Sequence, residues 1–353
     1  MRRRRPRVAA CPSALPAAPA RHRTRALPSE PVRALVVSNM RPDAAHPERG
    51  SFVRDQVAGL RALGRADVEL YEFAPGPRAL AGAALDLRRR FGSTRAGASS
   101  RESFDVVHAH FGLTAWPAFA VPARVRALTL HGTDVSHPRT RLLTLAALPR
   151  IDVLATVSRA LADELPRRAA RRAHVLPCGV DLERFHPIAR AHARSQLGLD
   201  AERRYLLFPG DPARPEKRVD RARELADSLD VELLALGGVE PERVPLLVNA
   251  ADAVLVPSER EGFGLAVLEA LACDVPVLAT PVGIHAEALA DLRGTLCAPF
   301  DVDRWRAALL ALLARDGDDS QPIEGRERAE RWSAARMAER VLAAWGVARE
   351  RAG

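Results

Sequence analysis

Ala253-Val-Leu-Val-Pro-Ser-Glu-Arg-Glu-Gly-Phe-Gly-Leu-Ala-Val-Leu-Glu269 reads as a strand, a loop and the start of a helix. Ala253–Val256 is a short apolar run, as in a strand buried on both faces of a parallel sheet. Gly262 and Gly264 permit a tight turn, and a helix runs from Gly264 to Ala272. Seven residues separate Glu261, in the loop, from Glu269, just over one turn into the helix. With the turn made, the N–H groups of Phe263, Gly264 and Leu265 can point at an anion, as at a helix N-terminus. One carboxylate beside them can hold hydroxyls.

The same strand–loop–helix grammar extends in both directions. Around this stretch, strands are predicted at Tyr205–Phe208, Val231–Leu236, Val275–Ala279 and near Leu296, with helices at Val219–Leu229, Pro241–Ala250 and Asp303–Leu313. A long terminal helix is predicted over Arg326–Arg349. Upstream, strands are predicted at Val32–Ser38, Val68–Phe73, Phe104–Ala109, Ala127–Leu130, Val153–Val157 and Ala173–Leu176, with a helix over Phe52–Leu63 and another capped by Ser158. Residues 74–103 carry little pattern. Strands alternating with helices imply βαβ units and parallel sheets. The expected architecture is two doubly wound α/β domains, 32–182 and 183–325, facing a cleft, with residues 326–353 as a terminal helix. Ligands of such sheets sit beyond the carboxyl ends of the strands, so the loops after the strands should carry the chemistry.

Composition narrows the function. Residues 1–30 hold eight Arg and one acid, Glu30, so +7 of the net +9 lies there and the remaining body carries +2. A nearly neutral body argues against nucleic acid as partner. The prolines at 6, 12, 16, 19, 28 and 31 preclude regular structure over residues 1–31, which reads as a disordered basic tail or a misplaced gene start. The polybasic segment leaves contact with anionic lipid at the inner membrane face open. No apolar run is long enough to span a membrane. The four Cys show no metal or redox spacing and fit a reducing cytoplasm.

Of 53 basic residues, only Lys217 is Lys. Arg and Lys differ in shape and hydration, so a lone Lys among arginines asks for a chemical reason. It closes the loop Pro209-Gly-Asp-Pro-Ala-Arg-Pro-Glu-Lys-Arg218, whose three prolines hold Arg214, Lys217 and Arg218 near one point. Such a cluster suits a phosphate. On the other half, His131-Gly-Thr-Asp134 follows the strand Ala127–Leu130, and His110 ends the strand Phe104–Ala109. His131 is expected in the cleft, His108 packed, and His110 in either place.

Together these strings resemble the retaining family-4 glycosyltransferases of GT-B fold. Supporting strings are Gly50-Ser-Phe-Val-Arg-Asp-Gln56, Asp105-Val-Val-His-Ala-His110, Cys178-Gly-Val-Asp181 and Asn249-Ala-Ala-Asp252. Within the family the chain looks most like bacterial teichuronic acid and exopolysaccharide enzymes. The resemblance implies a nucleoside-diphosphate sugar bound by the C-terminal domain, with Lys217 on the diphosphate, Glu261 on the sugar, Glu269 on the ribose, and the 263–265 N–H groups alongside. It implies a glycan or lipid-linked acceptor on the N-terminal side, with His131, the Gly50 loop, His110 and Asp134 nearby. It also implies no cofactor and no metal, with the departing phosphate serving as base. Two departures stand out. The family's Arg six residues before the Lys is Asp211, leaving Arg214 or Arg218 to partner Lys217, and the usual hinge Asn is Cys178.

Asp301-Val-Asp303 imitates a metal-binding pair, but Asp303 is expected to cap the following helix. The competing functions are a sugar-nucleotide epimerase on the same fold and a catalytically silent protein.

Overall fold

The computed structural model describes residues 31–92, 103–314 and 323–352. Most of the expected tail, residues 1–30, lies outside the described residues.

The first sheet holds β1 (Val32–Ser38), β2 (Ala66–Glu72), β3 (Phe104–His110), β4 (Ala123–Leu130), β5 (Val153–Thr156) and β6 (His174–Val175). Their order is β2-β1-β3-β4-β5-β6, all parallel. The second sheet holds β7 (Tyr205–Phe208), β8 (Glu232–Ala235), β9 (Ala253–Val256), β10 (Val277–Ala279) and β11 (Leu296–Cys297). Their order is β11-β10-β9-β7-β8, again parallel. Both are Rossmann-like sheets. The strand order reverses between β1 and β3 in one and between β7 and β9 in the other, and ligands collect outside such switch points. β7 and β9 are fully buried apolar strands, which is why their sequences run without alternation.

Three elements depart from expectation. Residues 77–91 form a helix, Pro77–Phe91, started by Pro77 and burying Ala83 and Leu87. Its core stripe is mostly alanine and leucine, interrupted by Gly82, so its periodicity is faint. The polar stretch after Asp181 contains the helix Arg190–Leu197. Buried Arg194 bonds Asp252, which also accepts from Arg190, Arg204 and the Tyr205 N–H. Asn249-Ala-Ala-Asp252 is therefore a structural clamp. The terminal helix is split into Gly325–Ala329, a 3-10 turn at Glu330–Trp332, and Ala334–Ala352. The break occurs because Val180 donates to Trp332 O and accepts from the Ala334 N–H, at 2.9 and 2.8 Å. That exchange returns the chain to the first sheet, where the last helix packs on Ser51–Ala62 and Trp345 is fully buried.

Asp301, not Asp303, caps the helix Val302–Leu313, accepting from the Arg304 N–H. No group of three or more potential metal ligands occurs among the described residues, and no helix there is long and apolar enough to cross a membrane.

Candidate active site

The loops after β7 and β9 are knitted together at the second switch point. The Glu259 N–H donates to Glu216 O at 2.9 Å. Lys217 Nζ donates to both oxygens of Glu261, each at 2.7 Å, and Ser258 Oγ donates to one of them at 2.8 Å. Burial alone would raise the Glu261 carboxyl. The Lys217 charge and hydrogen bonds outweigh it, so the group lies below its usual range. Lys217 and Glu261 thus form an ion pair across 44 residues of chain. Among the described residues nothing accepts from the N–H groups of Phe263, Gly264 or Leu265, which open the helix Leu265–Ala272.

The arginines expected beside Lys217 are otherwise engaged. Arg214 binds Glu216 at 2.6 Å. Arg218, held at φ 58°, binds Asp220 and Glu259. Arg260 lies on the same wall, exposed, with no partner among the described residues.

His131, Gly132 and Thr133 face this wall, and with Glu164, Arg260 and Glu261 they help enclose a cavity of about 80 Å³. Small-molecule sites typically measure roughly 300–1,000 Å³. The His131 loop and the Glu261 loop meet closely at this cavity. Ser158 Oγ donates to Gly262 O at 2.9 Å across the cleft. A Cβ on Gly262 would stand 1.9 Å from His131 O.

His131 stacks on His110, whose Nδ1 lies 3.0 Å from His131 Nε2, and His110 stacks on His108. Burial first, then the His108 imidazole, pushes His131 down to about 3; burial pushes His108 to about 3 and holds His110 well below its ordinary value. All three rings are neutral near pH 7. His110 is buried and reaches the cleft only through His131.

Two acceptor-side candidates have a structural part in the loops that carry them. Asp134 is buried and accepts from the N–H groups of His131, Gly132 and Gly112, so it shapes the His131 loop. Gly50 is buried at φ 72°, and a Cβ there would meet Met40 O at 2.4 Å. Its place is the entry turn to the helix Ser51–Ala62.

Residues 20–184 match the family described as Glycosyltransferase Family 4, and residues 193–333 match Glycosyl transferases group 1. The D-inositol 3-phosphate glycosyltransferase of Xylanimonas cellulosilytica is 32% identical over 298 residues, covering 68% of this chain and 71% of that protein. That of Actinosynnema mirum is 32% identical over 311 residues, covering 70% and 73%. The chain belongs to the group 1, family 4 glycosyltransferases. Solved structures agree on the fold. Sucrose-phosphate synthase from Thermosynechococcus elongatus superposes with a TM-score of 0.66 at 20% identity, covering 88% of this chain and 98% of that one. Anabaena HepE in complex with UDP-glucose gives 0.61 at 17%, covering 88% and 98%.

Three further parts of this glycosyltransferase's site were not singled out from sequence. Ser258 orients Glu261. His285, fully buried, is bonded through Nδ1 to Thr280 O, and its Nε2 would stand 2.4 Å from a Cβ on Gly264. Gly264, at φ 105°, is therefore required by both backbone and ring. Arg184 pairs with Asp55 through two bonds, 2.7 and 3.2 Å, tying the hinge segment to the helix Ser51–Ala62 near Glu269. Only tertiary contact reveals His285 and the Arg184–Asp55 pair.

Glu269 is half-buried, and burial pushes its carboxyl from 4.5 up to about 7; Asp55 adds to this, while Arg184 and Lys217 oppose it. Between those values the folded protein retains a proton that the unfolded chain has lost. The residue's contribution to stability therefore falls as pH rises through this window and levels off above about 7. Glu269→Gln is expected to match the parent's thermal midpoint near pH 5 and exceed it by a few degrees near pH 8. A pH-independent offset in thermal unfolding would contradict this.

Proposed function

We propose that this glycosyltransferase moves a sugar from a nucleoside-diphosphate sugar to a glycan or lipid-linked acceptor, with retention at the anomeric carbon and without a metal ion. The Lys217–Glu261 pair at the second switch point, opposite His131, carries the reading. The leaving group is a nucleoside diphosphate, and stabilising its developing charge is the main catalytic task. Lys217 and the 263–265 N–H groups supply that stabilisation, Glu261 holds the sugar hydroxyls, and Glu269 takes the ribose. The departing phosphate removes the acceptor proton, so no separate base is needed. Arg260, which lines the cavity and has no partner among the described residues, supplies a further cation for the diphosphate. The cytoplasm supplies such donors.

The test is calorimetry across UDP-, GDP- and ADP-sugars, in EDTA and in magnesium. One base should bind equally in both, and acceptor should drive release of the nucleoside diphosphate. Arg260→Gln should weaken the nucleoside diphosphate about tenfold, in line with losing one charge-assisted contact, and leave the nucleoside unchanged. Binding of none of the donors, or turnover only with magnesium, would overturn the reading. The D-inositol 3-phosphate glycosyltransferases among the relatives favour a second acceptor class, a phosphorylated polyol. Mass analysis of products formed with inositol phosphate and with lipid extracts separates the two.

A further inference from the structure

Beside the cleft, helices of the first domain carry an exposed apolar patch. Trp116 is 38% exposed, Leu142 71% and Leu143 48%. Trp116 Nε1 donates to Leu143 O at 3.3 Å, so the indole and the two leucines are neighbours. They stand on the short helix Ala115–Ala118 and the helix Pro138–Ala147, which pack together; Pro77–Phe91 packs on the first of these. These three helices hold Arg78, Arg88, Arg89, Arg90, Arg139 and Arg141 against one acid, Asp86, which bonds Tyr71 and Arg90. Their net +5 exceeds the +2 of the whole body from residue 31 onward, so the rest of the body is net negative. Arg78, Arg88, Arg89, Arg90 and Arg139 are exposed.

We propose that this face docks the protein on an anionic phospholipid bilayer. Three properties coincide in it. Leucines stand out from a helix that has no acid. An exposed indole stands beside them, its N–H satisfied by Leu143 O, and tryptophan is a residue enriched at membrane interfaces. Arginines on the surrounding helices match a negative lipid surface. A protein partner would need carboxylates spread over several helices, whereas a bilayer presents negative charge at every point. The patch also continues from the cleft wall: Thr140 Oγ1 donates to Thr133 O at 2.9 Å, and Arg141 donates to Val135 O at 3.1 Å. A lipid-carried acceptor would therefore arrive beside His131, a consequence that rests on the proposed function.

The experiment is co-sedimentation of the full chain with vesicles of phosphatidylcholine alone, and of equal parts phosphatidylcholine and phosphatidylglycerol. Binding is expected only to the anionic vesicles. Leu142→Ser with Leu143→Ser should lower the partition coefficient about tenfold through lost apolar burial. Arg88→Ser, Arg89→Ser and Arg139→Ser together should lower it and flatten its salt dependence. These side chains are exposed, so the thermal transition should be unchanged. Equal binding by parent and variants would assign any affinity to the basic tail and overturn the proposal. So would absence of binding by the parent, or a dimer in sedimentation that the leucine variant dissociates. Nucleoside-diphosphate binding, measured in parallel, separates the two readings: its absence with vesicle binding intact would fault the reaction and leave the docking face standing.

Discussion

Lys217→Ala is expected to lower kcat by about two to three powers of ten, the rough cost of losing one preorganised donor to developing charge. The ammonium sits 2.7 Å from both Glu261 oxygens, a position for a compact charge. A guanidinium is planar and broader, so even Lys217→Arg should lower kcat, although Arg serves at every other basic position. Removing the Lys also leaves Glu261, largely enclosed, without its cation, and an orphaned buried charge is costly by itself, about 3–5 kcal/mol. Stability must therefore be separated from chemistry. Adding Glu261→Gln to Lys217→Ala should restore the thermal midpoint without restoring turnover. If the double variant recovers both, or if Lys217→Arg and Lys217→Ala keep parental kinetics, Lys217 is only a structural partner.

Gly262→Ala is expected to slow transfer by about a hundredfold while leaving nucleotide affinity within a few-fold of the parent. A Cβ at this position would lie 1.9 Å from His131 O and 3.0 Å from its carbonyl carbon. Both are backbone atoms, so the clash is relieved only if the loops separate. A displacement of about 1 Å between a reacting group and its partner can cost about a hundredfold. The donor side, built from the β7 and β9 loops, would remain intact. The check is kcat beside calorimetric affinity for the nucleoside diphosphate. Parental kcat in the alanine variant would mean that this closed contact has no part in catalysis.

Much of the molecule was legible from local pattern. The bounds of β1, β7, β9 and Val219–Leu229 agree with their apolar runs and punctuation. These are short elements whose burial is fully expressed in their own residues. Pro77–Phe91 was not legible, because alanine and glycine blur its stripe. The unbroken terminal helix was a wrong expectation for another reason: nothing near Ser333 announces that Val180, far back in the chain, supplies the hydrogen bonds that interrupt it.

By itself, the sequence determined the doubly wound grammar, the two loops that hold charge, and the oddity of one lysine among arginines. Each follows from residues close in the chain, where turn geometry and side-chain period act directly. Tertiary structure alone decided which charges are available. It placed Lys217 on Glu261, tied Arg214 and Arg218 to carboxylates, left Arg260 without one among the described residues, and buried Asp134 under three backbone N–H groups. The physical reason is that a charge's chemical role depends on what neutralises it and how far it is from water. At Lys217 the deciding partner stands 44 residues away in sequence, and at Asp134 the Gly112 N–H that completes the set comes from 22 residues away.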